Sequence, residues 1–258
     1  MKRRPYRIPS LVTSLLGLIL AASASAQVVA ESGTPHTKTL KLDHFWCYIV
    51  SKEETANPAV SATLKDQFQT ASDISVGTPL QFCNPAQKTA GGNVTPIVNL
   101  NDHLTMYNLP SVPLPASQTL TATNQFGAQQ LTVDHATTLM VPTQKMLENL
   151  RFPTRLDHFL CYPVNAASIA QTVSLTDQFQ TQDVTVEQPV LFCNPVAKTI
   201  ANKTTRIQNQ AAHLLCYNIR LPQSTTSRQV PIQNQLETDT FTLTTTEMLC
   251  VPSTKTLP

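Results

Sequence analysis

One motif written four times constrains this chain more than anything else in it. The pattern is His-x-x-Cys-Tyr, then roughly 20 residues later a Gln-Phe pair, then Cys-x-Pro-x-x-Lys. The first copy reads His44/Cys47/Tyr48, Gln67/Phe68 and Cys83/Pro85/Lys88, and the third His158/Cys161/Tyr162, Gln178/Phe179 and Cys193/Pro195/Lys198. The fourth reads His213/Cys216/Tyr217, Gln235/Leu236 and Cys250/Pro252/Lys255. The second keeps the frame but changes both cysteines: His103/Met106/Tyr107, Gln125/Phe126 and Met140/Pro142/Lys145. A repeat of about 55 residues is one supersecondary unit used again and again, so architecture is legible from it before activity.

Within each copy the apolar residues alternate with polar ones. Val173, Leu175 and Phe179 are spaced for one face, as are Val230, Ile232 and Leu236. A period of two marks half-buried strands, and Thr-rich runs such as 238–246 favour the same conformation. Prolines at 79, 85, 189 and 195 punctuate strand ends. The expected fold is all-β: two tandem antiparallel β-sandwich or barrel domains, each made of two copies of the disulfide-stapled repeat. Residues 39–147 form the first domain, 148–154 a linker and 155–258 the second. A single four-bladed propeller is the competing arrangement.

Six cysteines permit many pairings, but the second copy narrows them. It has lost both of its cysteines together, which is what a bond within each copy requires. The expected pairs are Cys47 with Cys83, Cys161 with Cys193, and Cys216 with Cys250.

The first 26 residues combine Lys2, Arg3, Arg4 and Arg7, an apolar run from Leu11 to Ala22, and Ala24-Ser25-Ala26. They read as a cleaved signal peptide, too short in its apolar part to span a bilayer. Residues 27–38 read as a flexible leader. The chain is therefore expected outside the cytoplasm, secreted or periplasmic, where disulfides persist. Removing four of the 18 basic residues leaves 14 against 16 acidic ones, a net charge near −2. Nucleic acid is a poor partner for such a surface. An unknown protein, glycan or envelope component remains, with no transmembrane segment after signal removal.

The positions kept in every copy are the natural candidates for a site: His44, Tyr48 and Lys88; His103, Tyr107 and Lys145; His158, Tyr162 and Lys198; His213, Tyr217 and Lys255. On a strand the His and Tyr, four apart, share one face and the Cys takes the other. Such groups are either a recurring polar pocket or the hydrogen bonds that hold each repeat together, and a catalytic centre is rarely needed four times in one chain. No hydrolase elbow, zinc-protease helix or phosphate loop is present, so no catalytic residue and no cofactor is assigned. Two alternatives stay open. One is an extracytoplasmic hydrolase with a site between repeats; the other is copper binding by His103, Met106, His135 and Met140, although paired methionines also fill the volume of a lost disulfide.

With Leu-Asp-His-Phe-x-Cys-Tyr at 42–48 and 156–162, and Phe-Cys-Asn-Pro-x-x-Lys at 82–88 and 192–198, the chain resembles an uncharacterised family of secreted bacterial repeat-domain proteins. That resemblance implies export and a domain of unknown function. It carries no activity, substrate or catalytic residue.

Overall fold

In the computed structural model, which describes residues 42–51, 60–147, 149–221 and 227–258, fourteen strands and no helix account for the regular structure. The signal peptide, the leader and Glu148 of the linker lie outside the described residues. The first copy contributes β1 (His44–Ser51), β2 (Val60–Lys65), β3 (Thr70–Val76), β4 (Pro79–Ala90) and β5 (Asn93–Thr95). The second is two long strands, β6 (His103–Asn124) and β7 (Gly127–Lys145). The third holds β8 (His158–Pro163), β9 (Gln171–Thr176), β10 (Thr181–Ile200) and β11 (Lys203–Thr205), and the fourth β12 (His213–Arg220), β13 (Arg228–Gln233) and β14 (Thr238–Thr256).

In every copy the strand carrying His-x-x-Cys-Tyr lies antiparallel to the strand carrying Cys-x-Pro-x-x-Lys. The two cysteine positions stand directly opposite: Cys47 with Cys83, Cys161 with Cys193, Cys216 with Cys250, and Met106 with Met140. The three expected disulfides are formed, with Cα atoms 3.9, 4.0 and 3.9 Å apart. Neighbouring copies then pair through β4 and β6, β7 and β8, and β10 and β12, while β14 returns to β1. Eight strands therefore close into a barrel with no free edge, and a barrel of this size is filled by its own side chains.

This closure corrects the division at 148–154. Residues Thr39–Pro258 form one compact unit. Two copies alone would leave β1 and β7 as unpaired edges, and an open edge of this kind is a template for unwanted pairing. Joining all four copies satisfies every edge at once. Nor is the arrangement a propeller, because each copy lends two strands to a common barrel instead of folding a sheet of its own.

Alternation along these strands creates two cores. Phe45, Cys47, Cys83, Leu104, Met106, Met140, Phe159, Cys161 and their equivalents point inward and cluster, so the disulfides line the barrel interior. Trp46, Tyr48, Phe82, Leu160, Tyr162 and Phe192 point outward, where the remaining strand segments fold back as four arms whose Leu64, Leu120, Val173, Ile232 and Phe241 cover them. Trp46 is fully buried there, a covered strand residue. Met106 and Met140 occupy the place of the fourth disulfide. Converting both to cysteine should therefore yield a fourth bond on oxidative refolding, read as the loss of both thiols. It should raise stability by up to about 4 kcal/mol, given a closed loop of the same length as the native three.

Four buried polar seams as the candidate functional site

Each arm ends in a tight turn headed by Asp or Asn. Asp66 Oδ1 accepts the backbone N–H groups of Phe68 and Gln69 at 2.9 and 3.0 Å, and Asp177, Asn124 and Asn234 head the same turn. An Asx side chain that closes its own turn frees its second polar atom to point elsewhere. Here it points into a different copy.

The seam between copies one and two is covered by the turn of copy three. Asp177 Oδ2 accepts the Tyr48 hydroxyl and the Asn84 amide, both at 2.8 Å. Asn84 Oδ1 in turn accepts Lys145 Nζ at 3.1 Å, and that ammonium lies 4.3 Å from the centre of the Phe179 ring. The Gln178 amide lies 3.0 Å from His103 Nε2. The seam between copies three and four repeats this under the turn of copy one. Asp66 holds Tyr162 and Asn194 at 2.8 and 2.9 Å, while Lys255 reaches Asn194 at 2.9 Å, contacts Gln67 and lies 4.5 Å from the Phe68 ring centre.

The other two seams are built differently. Between copies four and one, Asn124 of the second copy donates to Tyr217 and Ser253 at 2.9 Å each, Gln125 meets His44 at 2.6 Å, and Lys88 lies 5.2 Å from the Phe126 ring centre. Between copies two and three, Asn234 of the fourth copy donates to Tyr107 at 2.6 Å and Thr143 at 3.2 Å. Tyr107 donates to Glu237 at 2.7 Å. Valines 141 and 251 stand where Asn84 and Asn194 do in the first type. A twofold alternation is thus superimposed on the fourfold repeat.

Burial sets the proton chemistry. His44, His103, His158 and His213 are all pushed down to about 3, first by loss of water and then by the motif lysine of the same copy. Desolvation also lowers Lys88, Lys198 and Lys255 to about 8 and Lys145 to about 7, with Asp177 and Asp66 partly restoring the charge of Lys145 and Lys255. Burial, reinforced by Asp177 and Asp66, raises the Tyr48 and Tyr162 hydroxyls.

All twelve candidate side chains lie at these seams, the imidazole and ammonium of each coming from one copy and the hydroxyl from its neighbour. Sequence reading missed Asp66, Asn124, Asp177 and Asn234, one residue before the motif Gln. The proposed copper ligands do not converge: His103 leaves the outer face of β6, Met106 the inner face, and His135 sits on an exposed stretch of β7 beside Asp134. Among the described residues no group of three or more His, Cys, Asp or Glu is placed to hold a metal. No described helix is long and apolar enough to cross a membrane.

The DUF7450 family, described as a repeat of unknown function, matches residues 22–139 and again 113–252. The chain belongs to this family. The first match takes in copy one and most of copy two, and the second runs from within copy two through copies three and four to Pro252. No curated protein and no solved structure matches the chain.

Proposed function

We propose that this DUF7450 chain is a non-catalytic binding or structural module that operates outside the cytoplasm. The observation that carries this reading is the interlock: the motif Tyr of all four copies and the Lys of three are each held or capped by a turn from a third copy. Groups held in that way tie copies together across the barrel and are poorly placed to meet a substrate. The three disulfides suggest an oxidising environment, in keeping with export. Lowered His and Lys values belong to desolvation at packing seams, which perturbs protonation as effectively as an active site does.

Replacing Asp177 by Ala separates the roles. It leaves the Tyr48 hydroxyl, the Asn84 amide and the Lys145 ammonium without their shared acceptor or counter-charge, and removing one partner of a buried ionic network costs about 3–5 kcal/mol. A structural seam predicts a large fall in the thermal midpoint. A ligand seam predicts an unchanged midpoint with a lost response in a thermal-shift screen against metals, glycans and envelope fractions, and that outcome would sink the proposal.

A further inference from the structure

Among the described residues, two of the four seams bring a lysine, an asparagine and an aspartate together, and they are the pair related by the twofold alternation. In the first, Lys145 Nζ lies 3.1 Å from Asn84 Oδ1, and Asn84 Nδ2 donates to Asp177 Oδ2 at 2.8 Å. In the second, Lys255 Nζ lies 2.9 Å from Asn194 Oδ1, and Asn194 Nδ2 donates to Asp66 Oδ2 at 2.9 Å. Two rings enclose each amine: Phe82 and Phe179 at 5.8 and 4.3 Å from Lys145, Phe192 and Phe68 at 5.9 and 4.5 Å from Lys255. The other two seams have Val141 and Val251 in place of the asparagine, and Asn234 and Asn124 in place of the acid.

An amine held against a carboxamide in a dry, pre-oriented pocket is set for transamidation. Asn84, Lys145 and Asp177 are all buried, which keeps out the water that would compete for the amide. Burial also lowers Lys145 to about 7, so at neutral pH much of it is the free amine that a nucleophile must be. The amide carbon sits one C=O bond, about 1.2 Å, beyond the oxygen that Nζ already touches. Pro85 and Pro195 follow the two asparagines and have no N–H with which the backbone could attack the same amide.

We propose that Lys145 joins Asn84, and Lys255 joins Asn194, in autocatalytic side-chain amide cross-links, with Asp177 and Asp66 carrying the proton. Nζ attacks Cγ, the new N–C bond forms, and the carbonyl electron pair moves onto Oδ1, which the Gln178 amide faces at 3.5 Å in the first seam. The Asp177 carboxylate takes one proton from the attacking nitrogen and hands it to Asn84 Nδ2, to which it is already hydrogen-bonded. The bond from Cγ to Nδ2 then breaks, the C=O re-forms, ammonia leaves, and Asp177 is a carboxylate again. No oxidant or cofactor enters. Each amide joins residues 61 apart in the chain and ties neighbouring copies at a point that no reductant opens. Lys145 and Lys255 then cease to titrate, and the alkaline behaviour of the seams is left to Lys88 and Lys198. Lys255 and Asp66 are only half-buried, so the second bond should form more slowly than the first.

Mass spectrometry of the oxidised protein, incubated folded and then denatured and reduced, tests this. The mass should fall short of the mature sequence by two ammonia molecules. A tryptic digest should contain two branched peptides, one joining Asn84 to an uncleaved Lys145 and the other joining Asn194 to an uncleaved Lys255. Lys145→Met should halve the shortfall, and Asp177→Asn should stop the first bond while leaving the second. If either variant fails to fold, the peptide map of the native protein still decides. Linear Asn84 and Lys145 peptides from folded protein overturn the first cross-link, and linear Asn194 and Lys255 peptides the second. Ammonia lost solely from the peptide that begins at Gln27 marks cyclisation of an N-terminal glutamine and overturns both. A first bond that survives Asp177→Asn removes the aspartate from the mechanism.

Discussion

Below pH 6 the thermal midpoint of the oxidised protein falls steeply, and by about pH 4.5 the fold is lost. The cause is the set of four seam imidazoles. Each has a folded value near 3 against an ordinary 6.5, so unfolding takes up protons throughout that window. A group lowered in the folded state costs nothing above its unfolded value and an increasing amount as pH drops toward the folded one. At pH 4.5 each imidazole has lost about two units, or roughly 2.7 kcal/mol, and four together reach on the order of 10 kcal/mol. That is comparable to the whole stability of a domain.

Asp102 works against this. Burial first and Asp43 second raise its carboxyl to about 6, so its contribution improves as pH falls from 6 toward 3.8, by about 3 kcal/mol. Asp43 and Asp157 are raised as well, each mainly by burial. The four imidazoles outnumber these three carboxyls, and each moves further than Asp102. On the alkaline side the lysines have folded values near 7 to 8, so stability climbs between there and their unfolded value near 10.5. The raised tyrosines reverse the trend above pH 10. The midpoint should therefore peak at about pH 10. Circular dichroism melts from pH 4 to 11 would check the profile. Replacing His103 by Gln should shift the acid transition to lower pH, and a profile flat down to pH 4 would refute the imidazole account.

Much of the local structure was legible because it depends on spacing alone. The alternation of His158, Leu160 and Tyr162 against Phe159 and Cys161 follows from strand geometry, and the structure puts the first three outside the barrel and the last two inside. Disulfide pairing was legible for a different reason: copy two lost both cysteines at once, and register places that pair face to face. Long-range edges were not legible. Nothing in β14 announces that Cys250 lies beside Phe45, because a repeat specifies the unit and leaves open which unit it meets. The exchanged turns were hidden in the same way, since Lys255 and Gln67 stand 188 residues apart. The acid heads of those turns do not stand out among positions common to four copies, because Asp66 and Asp177 alternate with Asn124 and Asn234.

Copy two also sets the expectation for the disulfides themselves. Their loops span 36, 32 and 34 residues, and closing a loop of that length contributes about 4 kcal/mol by restricting the unfolded chain. All six sulfurs belong to fully buried residues inside the barrel, so a reductant reaches them only when the ladder opens. Native protein should resist dithiothreitol in buffer and yield to it in partial denaturant. Fully reduced protein should then stay unfolded, because three such contributions approach the stability of the whole domain. Reduction and packing can be told apart with two double variants of the first pair. Cys47→Met with Cys83→Met copies the natural arrangement of Met106 and Met140, refilling the space and losing the cross-link. Cys47→Ala with Cys83→Ala loses the cross-link and leaves a cavity whose lining forfeits further contacts, roughly 2 kcal/mol or more beyond the Met pair. Urea midpoints should rank native, Met pair, Ala pair in falling order. Equal midpoints for the two variants would mean that the interior collapses freely around the gap, and that the methionines of copy two are not there to fill it.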